Sequence, residues 1–359
     1  MGWPGGIALA ALALFGAASA ARAQEPPALA LLPFENVSGH AASVRMIMPV
    51  MERALGDRGY RVVGPARLET FLARHRIRNT GQLGRTHLAA LRRELGVGLA
   101  LVGSVAIFND SPENPQWGLS SRILATDSAA ILWAGSAGLT GDDFTIALGL
   151  GTITSAERLA AETVKALLRE LPGAGEALAM PPDRSPLLPR LFGGKAAFRS
   201  PAMDSDPPRR IAVLPFENVS ERKGAARIVT DILTTVLARR GRFEVVEPGT
   251  VSEALVAAGA APYGTIDLDT LSALRQRLEL DAVILGTVFT YSEGLKKAAT
   301  TSPQVALDAR MLDAHTGRIL WVAERARAGE DSRVAMHFGT IHAMVPLVVK
   351  VVTEMLGTL

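Results

Sequence analysis

The sequence predicts an α/β protein of two tandem three-layer α/β/α domains, each running β-α-β-α-β-β-β-α with a mixed five-stranded sheet. Three observations predict it. One apolar motif occurs twice, as Leu32-Pro33-Phe34-Glu35-Asn36-Val37-Ser38 and as Leu214-Pro215-Phe216-Glu217-Asn218-Val219-Ser220. Further matches follow it in the same order in both halves. Within each half, short apolar runs alternate with stretches of helical period, and two alternating runs then close on a tight turn.

The repeat continues through both halves. Arg61-Val62-Val63-Gly64-Pro65 answers Glu244-Val245-Val246-Glu247-Pro248, and Leu88, Leu91, Arg92 and Leu95 answer Leu271, Leu274, Arg275 and Leu278. Leu101-Val102-Gly103-Ser104-Val105 answers Ile284-Leu285-Gly286-Thr287-Val288. Ile131-Leu132-Trp133 answers Ile319-Leu320-Trp321, and Gly151-Thr152-Ile153 answers Gly339-Thr340-Ile341. The domains are placed at 28–171 and 209–357. Between them, 172–208 is rich in Pro and Gly without sustained periodicity, the composition of a semi-extended linker. Each copy is expected to close its own hydrophobic interior.

The second copy shows the elements in order. Ile211 to Phe216 is almost wholly apolar, as a strand buried on both faces requires. Asn218 and Ser220 can cap the helix from Ala225 to Arg240, which carries Ile228, Ile232, Val236 and Leu237 on one face and ends at Gly241. Phe243 to Val246 is a second strand, followed by helices near 251–258 and 268–278. Ala282 to Tyr291 is a long β-rich run. Two alternating runs, 305–312 and 319–325, enclose Asp313-Ala314-His315-Thr316-Gly317, whose glycine supplies a positive φ. The first copy has Ser128-Ala129-Ala130 in place of Thr-Gly, so a different turn is expected there. A helix from Thr340 to Leu356 ends the domain. Gly103 and Gly286 interrupt β-branched strands, and close packing of a helix is the expected reason.

Composition excludes several function classes. Hydrophobic residues make up 48% and charged residues 20%, the balance of a globular chain. The formal net charge is only +3, and no basic face with stacking aromatics stands out, which argues against nucleic-acid binding. With no cysteine there is no disulfide, thiol nucleophile or zinc–thiolate site. The apolar run Ile7–Ala18 before Ala21-Arg22-Ala23 reads as a signal peptide over 1–23, so an exported, periplasmic chain is expected. The missing cysteine makes it an unlipidated one. No other segment reads as transmembrane.

The paired Leu-Pro-Phe-Glu-Asn strands, the Val-Val-x-Pro strands, the strand with a central glycine and the Asp-Ala-x-Thr-Gly hairpin before Ile-Leu-Trp resemble the TolB amino-terminal-domain-like and CsgG-like envelope proteins. The resemblance covers nearly all of both copies. It implies the fold described above, and it implies partners that are other envelope proteins.

No phosphate-binding loop, nucleophile elbow or metalloprotease helix is present, so neither cofactor nor metal is expected, and no catalytic residue is assigned. His337 and His342, five apart, do not share a helix face. Two sets of residues stand out. Glu35, Asn36, Glu217 and Asn218 follow the first strand of each copy, where α/β sheets often bind ligands, although Glu-Asn there is commonly turn and cap chemistry. Val345, Val348, Val349 and Val352 make the last helix apolar nearly all round. Its counterpart in the first copy keeps Glu157, Arg158, Glu162, Lys165 and Arg169 outside. Such a helix packs against the first copy, a second protomer or an envelope partner. The reading that follows is a non-enzymatic periplasmic protein-binding or scaffold module of an outer-membrane or secretion-associated assembly. Two alternatives stay open: a subunit of a ring or secretion assembly, with the chain as a homo-oligomer, and a small-ligand binder using the strand-end crevice.

Overall fold

The computed structural model describes residues 28–145, 151–178, 198–260, 266–294, 302–332 and 339–359. The expected signal peptide, the centre of the expected linker and His337 lie outside the described residues.

The first half comprises β1 (Ala28–Leu31), β2 (Glu35–Asn36), α1 (Ala41–Gly56), β3 (Arg61–Val62), α2 (Pro65–Arg74) and α3 (Arg85–Leu95). It continues with β4 (Leu99–Asn109), β5 (Gln116–Ala125), β6 (Ile131–Thr140) and α4 (Ala156–Leu167). The second half opens with β7 (Phe198–Arg199) and the short α5 (Ala202–Ser205), then repeats the order. Its elements are β8 (Arg210–Val213), β9 (Glu217–Asn218), α6 (Ala225–Arg240), β10 (Glu244–Val246), α7 (Pro248–Ala257) and α8 (Leu268–Leu278). After them come β11 (Ala282–Ser292), β12 (Gln304–Asp313), β13 (Ile319–Ala328) and α9 (Met344–Leu356).

Both sheets are mixed and share one topology. The first runs β3-β1-β4-β5-β6, the second β10-β8-β11-β12-β13. The early strands are parallel, and β4-β5-β6 and β11-β12-β13 are antiparallel meanders.

The expected five strands per sheet need two corrections. Pro33 and Pro215 have no N–H to donate, so the first strand breaks and its continuation, β2 or β9, re-pairs further along β4 or β11. The second sheet also gains an edge strand from the stretch read as linker. There, Phe198 and Arg199 pair with Val322 and Trp321. Arg199 Nε donates to the Leu359 carbonyl at 3.0 Å, tying this strand to the chain's last residue.

The strand glycines have a different cause from the one expected. A Cβ on Gly103 would fall 2.7 Å from the ring of Phe34 and 2.9 Å from the Ser120 carbonyl. At Gly286 the obstacles are the Phe216 ring and the Asp308 carbonyl. The space is therefore taken by the motif phenylalanine, not by a helix, and the glycine and the Leu-Pro-Phe motif form one packing unit. The expected cap is also corrected. The N-cap of α6 is Gly224, without a side-chain hydrogen bond. Asn218 instead accepts from Ser220 N and Oγ and donates to the Arg222 carbonyl, holding the turn before the helix.

The hairpin turn of the first half does not differ either. Ala129 adopts φ 61° where Gly317 has φ 70°, and both N–H groups donate to the carbonyl four residues back, at 3.0 and 2.9 Å. The alanine accepts a left-handed conformation that glycine adopts at no steric cost.

The layers depart most from expectation. One face of the first sheet (Leu29, Leu101, Val105, Leu119, Ile123) is covered by α1 and α4 through Ile47, Met51, Leu55, Leu159 and Val164. The opposite face is covered by α2 and α3 only over Ala30, Val102 and Leu124. The rest of that face carries Ser104, Gly118, Ser120, Ala134, Ser136 and Gly138, and it is closed by α6 and α9 of the second half. A Cβ on Gly118 or Gly138 would lie 2.8 Å from Val345. The same two helices cover their own sheet at Ile284, Val288, Leu307, Met311 and Trp321, in a cluster that also takes in Ala106 and Ile107 of the first half. Helices α7 and α8 cover the outer face of the second sheet only over Ala212, Leu214, Val283 and Leu285. The first half thus does not close its interior alone. The order of layers is α1 and α4, first sheet, α6 and α9, second sheet, α7 and α8.

Candidate functional site at the junction of the two halves

Where α6 meets the first sheet, charges are buried. On β5 the side chains alternate between faces, and Arg122 points away from Leu119 and Ile123 toward the second half. Its guanidinium holds Glu247 with both ends of the fork, Nε to Oε2 at 2.9 Å and Nη2 to Oε1 at 3.1 Å. It also donates to Asp231 Oδ1 at 3.4 Å and to the Gly81 carbonyl at 3.2 Å. Glu247 is the N-cap of α7, immediately before Pro248 at the first helical position, and Asp231 lies within α6. Asp231 Oδ2 accepts from Ser104 Oγ at 3.2 Å and from Arg227 Nε at 3.0 Å. Arg227 Nη2 in turn lies 2.6 Å from Glu35 Oε2. That last approach is too oblique for a good hydrogen bond, so it acts as a charge contact. Two arginines face three carboxylates in a region where Arg122, Asp231 and Glu247 are at most 2% exposed.

Burial sets the proton affinities. It raises the Glu35 and Glu247 carboxyls above their ordinary value, with Arg227 and Arg122 respectively opposing the rise. Burial would lower the Arg122 guanidinium, but Glu247 and Asp231 outweigh it and hold the charge on.

The predicted residues fall in different surroundings. Glu35 is part of this junction. Asn36 Oδ1 accepts from Ser38 Oγ at 2.8 Å and Gly39 N at 3.0 Å, while its Nδ2 donates to the His40 carbonyl at 3.0 Å. Glu217 and Asn218 occupy the equivalent strand end of the other sheet, where both are exposed. The two strand ends therefore stand apart, one on each sheet. Val345, Val348 and Val352 are buried between the two sheets, and Val349 is half-buried. Asp281 caps the start of β8, accepting from the N–H groups of Arg209 and Arg210 at 2.8 and 2.9 Å.

Arg122, Asp231 and Glu247 escaped the sequence reading. In Leu119-Ser-Ser-Arg-Ile the arginine looks like the solvent face of an alternating strand. A signal was present nonetheless: Asp231 interrupts the apolar run of α6, and Glu247 answers Gly64 in the repeat. Among the described residues, no cluster of histidines and carboxylates could hold a metal ion, and no helix is long and apolar enough to cross a membrane.

Residues 200–358 match the model of a family described as "Putative lipoprotein GNA1162-like". The matched stretch is the second half. No curated protein matches the chain. Among solved structures, the chain is similar to lipoprotein GNA1162 from Neisseria meningitidis, at 20% identity over 42% of this chain and 100% of that one, with a TM-score of 0.30. It is similar to the LpoB C-terminal domain from Salmonella enterica at 18% identity over 40% and 93%, with a TM-score of 0.28. A PelC dodecamer from Paraburkholderia phytofirmans gives 16% over 42% and 86%, with a TM-score of 0.28.

The family match corrects one expectation. Export to the periplasm was inferred from the signal-peptide pattern and the lack of lipidation from the missing cysteine, whereas the matched family is described as one of lipoproteins.

Two outcomes are expected of the junction. Arg122→Ala strands Glu247 and Asp231 in the interior and should cost about 3–5 kcal/mol in urea unfolding. The second concerns pH. The folded state binds protons at Glu35 and Glu247 more tightly than the unfolded chain, whose carboxyls titrate near the reference value of 4.5. This contribution is fully present below that value and is lost as pH rises through the folded-state pKa. Unfolding free energy should therefore be greater at about pH 5.5 than at about pH 7.5, and Glu35→Gln should flatten the slope.

Proposed function

We propose that this chain is a non-enzymatic module of the bacterial cell envelope that works by holding other proteins, built from TolB amino-terminal-domain-like units at 28–171 and 209–357. The observation that carries the reading is the match of residues 200–358 to a lipoprotein family. The chemistry of the junction agrees with it. Glu35, the carboxylate best placed for acid–base work, lies against Arg227, and the groups around it are bound to one another. General acid–base catalysis needs a group free to exchange a proton with a substrate. Arg122 with its two acids instead joins one half to the other.

The test is capture of the full chain from a cross-linked cell envelope, alongside a thermal-shift screen against nucleotides, sugars and peptidoglycan fragments. Envelope proteins should be recovered with the chain, and none of these small molecules should raise its melting temperature. A chain that fractionates away from the envelope, or a small molecule that stabilises it in a saturable manner, would contradict the proposal.

A further inference from the structure

The contact between the halves joins two different surfaces, the sheet of one repeat to the helices of the next. Such a contact can be repeated by another copy. The second half has an exposed counterpart of the sheet surface, and the first half has an exposed counterpart of the helix surface.

Register between the halves is fixed by the structure. Phe34 N contacts Met48 Sδ, and Phe216 N contacts Thr230 Oγ1, each partner fourteen residues on. Arg45 therefore answers Arg227, and Pro49 answers Asp231. Gly103 opposes Ser121, and Gly286 opposes Ala309, so Arg122 answers Arg310.

Val37 and Ile131 of the first half pack against the second half, and Ala106 is buried in the same cluster. Their counterparts are Val219, Ile319 and Phe289, which are 62%, 46% and 45% exposed. Large apolar side chains thus lie open on the second half at the positions the second half covers on the first. Arg310 is exposed as well, with no ion pair among the described residues.

On the other side, Arg122 occupies the space between α6 and α7. The counterpart between α1 and α2 is an open groove of about 420 Å³, with Met48, Pro49 and Leu68 in its lining, Glu52 and Glu69 as its acids and Arg45 as its base. Charge agrees with the match. On the outer faces of α1 and α4, exposed Arg45, Arg53, Arg158 and Lys165 outnumber Glu52, Glu157 and Glu162. On the open sheet surface, Glu217, Asp308 and Glu324 outnumber Arg310.

We propose that the chain associates head to tail with itself, the open β11–β13 surface of one copy receiving α1 and α4 of the next, Arg310 entering the α1–α2 groove and Glu217 meeting Arg45. The contact is more polar than the one inside the chain. Ala306 and Ala326 stand where Gly118 and Gly138 admit Val345, and Glu157 stands where Val345 would be. The association is therefore weaker than the internal junction, reversible and sensitive to salt.

Sedimentation of the full chain should show a mass that grows with concentration and falls back when salt is raised. Arg310→Glu should weaken the association by about tenfold or more. Adding Glu52→Arg and Glu69→Arg to that variant should recover it. Because the protein has no cysteine, Arg45→Cys and Glu217→Cys can be combined and treated with a short bismaleimide. Oligomers should form in the double variant and not in either single one. A monomer mass at every concentration, or cross-linking as strong in a single variant as in the double, would overturn the proposal.

Discussion

The structure depends on one constraint: α6 and α9 lie between two sheets and have no solvent face along most of their length. A helix in that position must be apolar on both sides, and both sheets must present small or apolar residues toward it. From Ala225 to Ala238, only Ala226 and Arg227 escape full burial in α6, and Arg227 does so by reaching Glu35. Gly118 and Gly138 let Val345 approach the first sheet closely enough to exclude water. The duplication therefore produced more than two neighbouring units, because the second unit's helices also close the first unit's sheet.

Burial of Arg122 with Asp231 and Glu247 follows from that geometry. Closing the first sheet with another repeat's helices brings its outward-facing arginine inside, and a buried guanidinium must be paired. Asp231 and Glu247 stand where the first half has Pro49 and Gly64, so these two acids occur where an arginine is fully buried. Such a cluster adds little net stability by itself, since desolvation offsets much of the attraction. It makes any other seating of the halves costly, because a shifted register would leave the arginine buried without its acids.

Much of the fold was legible in the sequence because the repeat is explicit. The Leu-Pro-Phe-Glu-Asn motif, the strand glycines and the Ile-Leu-Trp strands locate the same elements twice, and the helices from Ala225 to Arg240 and from Leu268 to Leu278 follow directly from periodicity. The valine-rich last helix also showed that something covers it. What periodicity could not reveal was which surface does so, since an apolar face has the same pattern whatever lies against it. The same limit hid the role of Arg122, because alternation in a strand separates two faces without telling which one meets water. The edge strand Phe198–Arg199 was invisible for another reason: two residues carry no period, and their pairing depends on the position of Trp321.

The most direct test of the shared layer is hydrogen exchange across the full chain through a urea titration. If α6 and α9 complete both sheets, their amides and those of β4, β5 and β6 should lose protection together, in one cooperative step. Loss of protection in the first sheet at lower urea, while α6 and α9 stay protected, would contradict the account.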